Sequence, residues 1–445
     1  MRKKQMIDIC LIFTPITEML IERLEAPMGL LYIATYLNEN GFEAEVRDLS
    51  GIALENAEIP PAKWYGFVTY STTYGRTLRV KELALKINPT AKTIAGGPHA
   101  SSLPKDVIKD FDYVVLDEAE SAVLNLLRGE TPPPAIVFDE TPTGARTSTN
   151  PRIIQGTPIW DLDSIPFPDY TLVDIKSYKR VVDGKASVSL LSSRGCPFKC
   201  KFCNSKIMGG GTRLRYRSPQ NVFDEMVDLR DKYGTTAFRF QDDIFGLDVR
   251  WLRKLSEKLR PLGITYRSFV RAHQLAKRGF AEELYASGCR HVALGIESGS
   301  DKILENMVKG QTVKTGMEGI KKAKEAGLIV RIYLIIGYPG ETWDTVQETV
   351  DFVRDAKPDE FAMYPFIPYP GTPLYYAPED HGIYNMDKDF TKYFQAYEYK
   401  KSHFVYDLAD YDRIELQKMK DYVDAELEKI KIPWYIDANQ KGFHV

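Results

Sequence analysis

Cysteine, an excess of positive charge and long apolar runs are all scarce in this sequence. Only five of the 445 residues are cysteine, and an odd number of thiols argues against a disulfide-stabilised scaffold. The formal net charge is -2, which excludes the basic surface that nucleic-acid binders usually carry. No apolar run approaches the roughly 20 residues that a membrane-spanning helix needs. We therefore expect a cytoplasmic globular protein with no membrane span and no nucleic-acid partner.

The chain of 445 residues is too long for one ordinary hydrophobic core, so we expect more than one domain. Short apolar strands alternate with amphipathic helices near its start, as in "IDICLIF" followed by "GLLYIATYLNENG". This alternation predicts an α/β fold, with a doubly wound, Rossmann-like parallel sheet over residues 1–135. Ligands of such sheets bind beyond the carboxyl ends of the strands. Proline and polar residues dominate residues 136–182, which predicts an ordered linker without regular ladders.

A second alternating series predicts a partial (β/α)6 barrel over residues 183–376, since its six strand–helix units are too few for an eight-fold barrel. The expected strands are Ser187–Ser193, Ala237–Gln241, Thr265–Val270, His291–Glu297, Ile329–Ile336 and Glu360–Phe366. A long amphipathic helix follows within "LADYDRIELQKMKDYVDAELEKI". We expect residues 377–445 to form a small, mostly helical C-terminal domain that closes the open side of the barrel.

Three of the five cysteines lie in one short loop, directly after the first strand of the second series. Cys196, Cys200 and Cys203 have the spacing C-x3-C-x2-C, so their sulfurs can converge on one metal centre. Structural zinc normally has four protein ligands, and no histidine or fourth cysteine lies nearby. A 4Fe-4S cluster bound by three cysteines would keep one iron open for a substrate. Buried structural thiols, or zinc with an unseen fourth ligand, are the alternatives.

The segment "CPFKCKFC" resembles the cluster loop of radical S-adenosylmethionine (SAM) enzymes. In that family the amino and carboxylate groups of SAM chelate the open iron. One electron then splits the sulfonium to methionine and a 5′-deoxyadenosyl radical. The resemblance implies an external one-electron reductant, such as flavodoxin or ferredoxin, and it implies that Phe202 lies against the adenine of SAM.

Further candidates for SAM binding end the second and third predicted strands of the barrel. Asp242 and Asp243 stand where the family usually contacts the SAM amino end, although many members have Gly-Gly-Glu there. Arg271 is a candidate partner of the SAM carboxylate, which suits the geometry of a guanidinium. A turn or a helix cap is the alternative for each residue, and Asp242 could simply begin the next helix.

The fourth and fifth predicted strands end in two more candidate motifs. Glu297 and Ser298 in "GIESGS" are positioned for the ribose hydroxyls or the methionyl group of SAM. Gly337 and Tyr338 in "IIGYPGET" follow, because glycine lets the backbone approach adenine closely. Each motif alone is also compatible with a turn, and their shared place at strand ends is what favours binding.

The arrangement of an α/β domain before this barrel resembles the cobalamin-binding radical SAM family. The segments "APMGLLYIATYLNENG", "AGGPHAS" and "VVLDEAES" are similar to recurring family segments, although Asp117 stands where glycine is common. In the family, a Ser/Thr loop and a Gly-Gly pair hold the nucleotide tail of cobalamin. The residues that this resemblance assigns to cobalamin, together with the end of the first strand, are Thr14, Ser71, Thr72, Thr73, Gly96 and Gly97.

The loop after the first strand has no D-x-H-x-x-G motif, so no histidine from it can ligate cobalt from below. The resemblance therefore implies that cobalamin binds with its tail base displaced. His99 is the only histidine of the first domain. We expect it to contact phosphate or to pack the loop rather than to contact cobalt.

The resemblance implies a cobalamin-dependent radical SAM enzyme that methylates an unactivated carbon of a small molecule. Three alternatives stay open: cyclisation, ring contraction or oxidation with both cofactors; a radical SAM enzyme with a vestigial cobalamin domain; and a non-catalytic iron–sulfur sensing or binding protein. Tyr364, Tyr369 and Tyr375, near the end of the sixth strand, are weak candidates for substrate contacts. Packing against the tail is the alternative for these three side chains.

Overall fold

The computed structural model describes residues 6–17, 21–130, 135–138, 145–147, 150–205, 211–393 and 402–433. Along these parts of the chain, no helix combines the length and the apolar character that a membrane crossing requires. Two large sheets and the helices that flank them make up most of the regular structure.

The first sheet is entirely parallel and has the strand order β2-β1-β3-β4-β5-β8. Its first five strands are β1 (Ile7–Phe13), β2 (Ala44–Asp48), β3 (Ala62–Val68), β4 (Lys92–Gly96) and β5 (Tyr113–Leu116). The helices between and after them are α1 (Met28–Glu39), α2 (Tyr74–Ile87), α3 (Pro98–Ser102), α4 (Pro104–Val107) and α5 (Glu120–Arg128). The predicted Rossmann-like sheet is confirmed.

The continuous apolar run of β1 reflects burial on both faces of this sheet. Ile9 and Leu11 pack into the core that includes helices α1 and α5, while Cys10 and Ile12 pack into a second core on the opposite face. Successive side chains of a strand point to opposite faces. Because both faces of β1 are covered by helices, apolar residues are favoured at all of its positions.

The structure differs from the predicted linker at one point. A short hairpin joins β6 (Ile136–Phe138) to β7 (Ala145–Thr147), and β8 (Ile153–Gln155) then pairs in parallel with β5. Residues 153–155 are therefore the sixth strand of the first sheet. Proline limits ladders only where it stands, and the "IIQ" segment contains none.

The second sheet curls into a partial barrel with the order β17-β16-β15-β14-β13-β10-β9. Its strands are β9 (Val181–Val182), β10 (Lys185–Leu190), β13 (Ala237–Phe240), β14 (Thr265–Val270), β15 (Cys289–Glu297), β16 (Ile329–Ile336) and β17 (Glu360–Pro365). All neighbours are parallel except β9, which runs antiparallel to β10. Between β10 and β13, the short strands β11 (Ser193–Arg194) and β12 (Arg215–Tyr216) form a separate antiparallel pair.

Helices cover the outside of this barrel, as the sequence predicts. They are α6 (Pro219–Tyr233), α7 (Val249–Leu259), α8 (Ala272–Leu275), α9 (Phe280–Ala286), α10 (Asp301–Asn306), α11 (Val313–Glu325) and α12 (Trp343–Ala356). Helix α6 shows how local sequence sets their limits. The Ser218 hydroxyl accepts from the Asn221 amide at 3.1 Å, and Gly234 ends the helix with φ +70°.

The C-terminal part contains α13 (Pro373–Tyr376), the short pair β18 (Ile383–Tyr384) and β19 (Asp407–Leu408), and the long helix α14 (Arg413–Ile430). Helix α14 packs beside α12, where the rings of Tyr422 and Trp343 lie 5.8 Å apart. The described tail is thus joined to the last helix of the barrel.

Candidate functional site

The cysteine loop lies at the carboxyl end of the barrel, between β11 and β12. Its backbone is held by amides: Cys203 donates to the Cys200 carbonyl at 3.3 Å, and Lys201 donates to the Met307 carbonyl at 2.9 Å. Burial raises the pKa of the Cys196 and Cys203 thiols, and their interactions with the neighbouring cysteines raise it further. Iron would stabilise the thiolate form that the raised pKa of Cys196 and Cys203 otherwise disfavours.

A 4Fe-4S cluster uses its cysteines differently from a single metal ion. Each of the three cysteines binds a different iron, so the sulfurs surround the cluster and need not meet at one point. Among the described residues, no three Cys, His, Asp or Glu side chains are grouped so that they could hold one ion. Cys200 is 8% exposed, and Cys196 and Cys203 are half-buried.

Arg271, at the end of β14, brings a cation to the cysteine loop. Its guanidinium lies 3.8 Å from the centroid of the Phe198 ring, and Nη1 lies 3.7 Å from Cys200 Sγ. The Lys309 carbonyl accepts from Nη2. The buried Nε has no hydrogen-bond partner among the described residues. An unused buried donor next to the cluster cysteines fits a carboxylate, as expected for the SAM carboxylate.

Glu297 lies in the same place but is already paired. It ends β15 with φ +69°, and its carboxylate forms a buried ion pair with Lys309 Nζ at 2.6 Å. The same ammonium lies 5.6 Å from the centroid of the Phe202 ring, so the predicted adenine contact adjoins this pair. Sequence reasoning missed Lys309, because "MVKGQ" resembles the polar end of a helix. The only available signal was a lysine and a glycine directly after α10.

The two aspartates at the end of β13 have different places. Asp242 is 2% exposed and accepts from the Ser192 amide at 3.2 Å, from the Ser192 hydroxyl at 2.7 Å and from the Ser193 hydroxyl. It therefore holds the chain just before the cysteine loop instead of facing a ligand. Asp243 lines the large cavity described below, and burial, with the charge of Asp242, raises its pKa to about 6.

The remaining predicted SAM contacts, Ser298, Gly337 and Tyr338, also differ in their surroundings. The Ser298 hydroxyl lies 3.3 Å from the hydroxyl of Thr349 in α12, within the protein interior. The Gly337 carbonyl accepts from Tyr406 of the tail at 2.6 Å, so tail residues cover it. Tyr338 is buried, and burial together with the nearby Cys200 raises its pKa. Of these three, the structure brings only Tyr338 towards the cysteine loop.

The three tyrosines predicted as weak substrate contacts also lie in different surroundings. Tyr375 packs 6.2 Å from the Phe390 ring of the tail, and burial raises the pKa of Tyr369 to about 12. These two side chains pack within the protein. Tyr364 lies in β17 and is half-buried at the inner face of the barrel.

A cavity of about 700 Å³ joins the first domain to the barrel. Its floor includes the glycines of β3 and β4, and its walls are mostly apolar side chains of the first sheet and of α1. Gly195 and Asp243, which flank the cysteine loop, line its other end. The cavity therefore extends from the first sheet to the edge of the cluster site.

Glycine is required at this floor for reasons of space. A Cβ at Gly66 would lie 2.6 Å from Leu11 Cδ2, and one at Gly97 would lie 2.8 Å from Val68 Cγ2. Gly97 also has φ +90°, which disfavours other residues. An apolar slot with a glycine floor fits the flat nucleotide base of a cobalamin tail. Gly96 and Gly97 both line this cavity, and their contact with cobalamin stays a prediction.

The Ser/Thr loop lies outside the lining of this cavity. The cavity lining includes Gly96 and Gly97 but none of Thr14, Ser71, Thr72, Thr73 and His99. The Ser71 hydroxyl lies 2.9 Å from His99 Nδ1, and the imidazole packs 4.4 Å from Tyr74 and 5.6 Å from Phe390. Burial lowers the pKa of His99 to about 4, so the ring is neutral. It packs the loop, one of its two expected roles.

Thr14 and Thr73 likewise face the protein interior. The Thr14 hydroxyl accepts from the Thr77 hydroxyl at 3.1 Å, and the Thr73 carbonyl accepts from the same hydroxyl at 3.2 Å. Both threonines are buried. The Thr77 hydroxyl thus joins Thr14 and the Thr73 carbonyl to α2, whereas the buried Thr73 hydroxyl has no hydrogen-bond partner among the described residues.

The "VVLDEAES" segment has a role that sequence reasoning missed. Glu118 accepts from Arg215 at 3.2 Å and lies 3.3 Å from Arg194 Nη1, while Glu120 binds Arg194 Nη2 at 2.7 Å. Arg194 stands two positions before Cys196. Asp117 has φ +58°, which explains why glycine is common at this position in similar sequences. The segment ties the first domain to the cysteine loop.

Glu25 joins the first domain to the barrel on another side of the cavity. Its carboxylate binds Arg180 at 2.6 Å, pairs with Arg239 of β13, and accepts from the Ser189 hydroxyl of β10 at 3.1 Å. These residues all adjoin the barrel's first strands. Charged contacts on two flanks thus fix how the first domain faces the barrel.

Comparison with known proteins agrees with this geometry. Residues 190–353 match the radical SAM superfamily, and residues 21–127 match the B12 binding domain. An uncharacterized methyltransferase of Pyrococcus horikoshii is 29% identical, covering 82% of each chain. An anaerobic magnesium-protoporphyrin IX monomethyl ester cyclase of Rubrivivax gelatinosus is 26% identical, covering 78% of this chain and 65% of the cyclase.

A solved structure shares the fold over almost the whole chain. It is the radical SAM methyltransferase TsrM from Kitasatospora setae with cobalamin and a 4Fe-4S cluster bound, with a TM-score of 0.67 at 17% identity, covering 96% of this chain and 90% of that one. The cofactors of the present protein are a 4Fe-4S cluster, SAM and cobalamin, and the cysteine loop, Arg271 and the glycine-floored cavity fit them. The chain therefore combines a radical SAM region with a B12 binding domain, the pair of domains found in cobalamin-dependent radical SAM enzymes.

Proposed function

We propose that this enzyme methylates an unactivated carbon of a small molecule. The observation that carries the proposal is the cavity that runs from Gly66 and Gly96 to Gly195 and Asp243, beside the cysteine loop. A methyl donor in that cavity and a radical source at the loop would act on one substrate between them. When bound, the cofactors supply hydrogen abstraction and methyl transfer, chemistry that amino-acid side chains do not provide.

The chain's own residues supply position and exclusion of water. Arg271 would orient the SAM carboxylate, and the Glu297–Lys309 pair would border the adenosine. Asp242 fixes the start of the cysteine loop through Ser192 and Ser193. Holding the reactants in one geometry is the main rate contribution available to such a site. We propose that flavodoxin or ferredoxin supplies the electron.

The first test measures cofactor content in protein made anaerobically in cells supplied with cobalamin. We expect near one cobalamin and about four irons per chain. SAM carrying a deuterated methyl group should then label a product in an extract of small molecules. Iron without cobalamin, even after reconstitution with excess, would contradict the proposal.

A cyclisation without methyl transfer is the second candidate, and the similarity to a named cyclase supports it. Both reactions would begin with hydrogen abstraction from substrate. They differ in the label: methylation transfers the deuterated methyl group, whereas cyclisation gives an unlabelled product that has lost hydrogen. Mass spectrometry of the same reaction distinguishes them.

A further inference from the structure

The large cavity contains one carboxylate that the described part of the chain leaves unpaired. The carboxyl groups in its lining belong to Glu22, Glu25, Asp117, Glu118, Glu120 and Asp243. Glu25, Glu118 and Glu120 are paired with arginines, the Glu22 carboxylate accepts from the Gly51 amide at 2.8 Å, and the Asp117 carboxylate accepts from Gln155 at 2.5 Å. Asp243 has no hydrogen bond and no ion pair with any described residue.

Asp243 lies at the end of the cavity beside the cysteine loop. It shares the cavity lining with Gly195, the residue before Cys196, and its side chain is open to the cavity. Burial raises the pKa of the Cys196 and Cys203 thiols, and the charge of Asp243 raises both further. The unpaired carboxylate is therefore placed between the cluster site and the first sheet.

The charges at this end of the cavity favour a cation. Asp242 adds a second carboxylate, and three thiolates make a 4Fe-4S cluster anionic. The arginines of the cavity lining are already paired with carboxylates of the first domain: Arg194 with Glu118 and Glu120, and Arg180 and Arg239 with Glu25. Since most of the walls are apolar, a positive group that enters the cavity interacts with Asp243 more strongly than it would in water.

We propose that Asp243 binds a protonated amine of the substrate, so that the enzyme acts on small molecules that carry a basic nitrogen. This inference rests on the proposed function for the identity of the bound molecule as the substrate. An ammonium group donates charge-assisted hydrogen bonds to a carboxylate. Held there, the substrate would lie between the cysteine loop and the glycine floor. The predicted contact of Asp243 with the amino end of SAM is the competing assignment, since both ligands offer the same chemical group.

A charged probe and a neutral probe test the proposal on the wild-type enzyme. The probes are 2-naphthylmethylamine, which is protonated at neutral pH, and the uncharged 2-naphthylmethanol. Their binding is measured by anaerobic equilibrium dialysis on the cofactor-loaded enzyme, with saturating SAM and no reductant. We expect the amine to bind about tenfold more tightly, as a hydrogen bond between charged groups allows. Equal binding of the two probes would overturn the proposal, and this arm needs no variant.

Variants locate the preference for the amine. Asp243→Asn should remove it, and Asp243→Glu should keep part of it. Glu22→Gln is the matched control and should keep the full preference, because Glu22 lines the same cavity but is held by the Gly51 amide. A preference that survives Asp243→Asn, or that Glu22→Gln removes equally, would contradict the proposal.

Cofactor binding separates the competing ligands of the carboxylate. The affinity for SAM without a probe, the iron content and the cobalamin content are measured for Asp243→Asn, and all three should stay near the wild-type values. A fall in SAM affinity would assign Asp243 to the amino end of SAM, and a loss of cobalamin or iron would assign it to a cofactor site. Either result overturns the proposal. No turnover is required, so the outcome is independent of the labelled-methyl test.

Discussion

Glu118 of the first domain lies 3.3 Å from the guanidinium of Arg194, two residues before the first cluster cysteine. The same carboxylate binds Arg215, so one side chain of the first domain serves both short strands that flank the cysteine loop. The position of the loop thus depends on a residue outside the barrel.

Replacement of Glu118 should therefore affect both stability and the cluster. Glu118→Ala leaves Arg215 without its buried counter-charge and leaves Arg194 with Glu120 alone, which should cost about 3 kcal/mol of unfolding free energy. Chemical denaturation and iron content of the purified variant measure the two effects. Glu130→Ala is the control, because that side chain is exposed just beyond the end of α5. Equal losses in both variants would refute the role of the pair.

Each cluster cysteine should be indispensable. Cys196→Ala, Cys200→Ala and Cys203→Ala should each abolish the brown colour of the cluster and the cleavage of SAM, since a lost ligand exposes a second iron. Visible absorption and deoxyadenosine formation under a strong reductant are the measurements. Cys289→Ala, at a buried thiol behind β14, should keep both properties. Full deoxyadenosine production by any of the first three variants would contradict the assignment of these cysteines as cluster ligands.

Filling the glycine floor should displace cobalamin. Gly66→Val places methyl groups against Leu11 inside the slot, so bound cobalamin should fall several-fold while iron content stays near that of the wild type. Gly75→Val is a matched control, because a Cβ at Gly75 meets nothing within 4 Å. Cobalamin is extracted with cyanide and measured by absorbance. Unchanged cobalamin content in Gly66→Val would mean that the slot holds something else.

Acid should destabilise the fold through His99. Its pKa is lowered by burial from 6.5 to about 4, so the unfolded chain binds a proton more readily than the folded one. The stabilisation is complete above pH 6.5 and is lost as the pH falls toward 4. Between pH 7 and 4.5 the unfolding free energy should drop by about 2–3 kcal/mol more in the wild type than in His99→Asn. Parallel denaturation curves in the two proteins would contradict this account.

Sequence patterns predicted the bounds of several strands well. They predicted the surroundings of individual side chains less consistently. The predicted bounds of Thr265–Val270 and Ile329–Ile336 match β14 and β16 residue for residue, because β-branched and aromatic residues dominate both segments despite the arginine in each. Asp242 and Asp243 show the limit. They are neighbours in sequence just beyond the end of β13, and only the fold shows that Asp242 binds Ser192 and Ser193 while Asp243 lines the cavity.

Long-range partners were beyond sequence reasoning for a different reason. Lys309 and Glu297 meet only because the chain turns back after α10, and Glu25 meets Arg239 across two domains. Neither pair has a periodic or local signature. The composition of the Ser/Thr loop suits a ligand, and its role stays a prediction: the Ser71 hydroxyl lies against His99, but the buried Thr73 hydroxyl has no hydrogen-bond partner among the described residues.

The ion pairs of Glu25, Glu118 and Glu120 have a kinetic consequence for the holoenzyme. They flank the same cavity in which the B12 cofactor belongs, and most of their charged atoms are buried. A molecule as large as cobalamin enters either before these pairs form or after several of them break. Loading should therefore be fast on the newly folding chain and slow on the finished apoprotein, so supply of the vitamin during synthesis decides how much active enzyme a cell obtains.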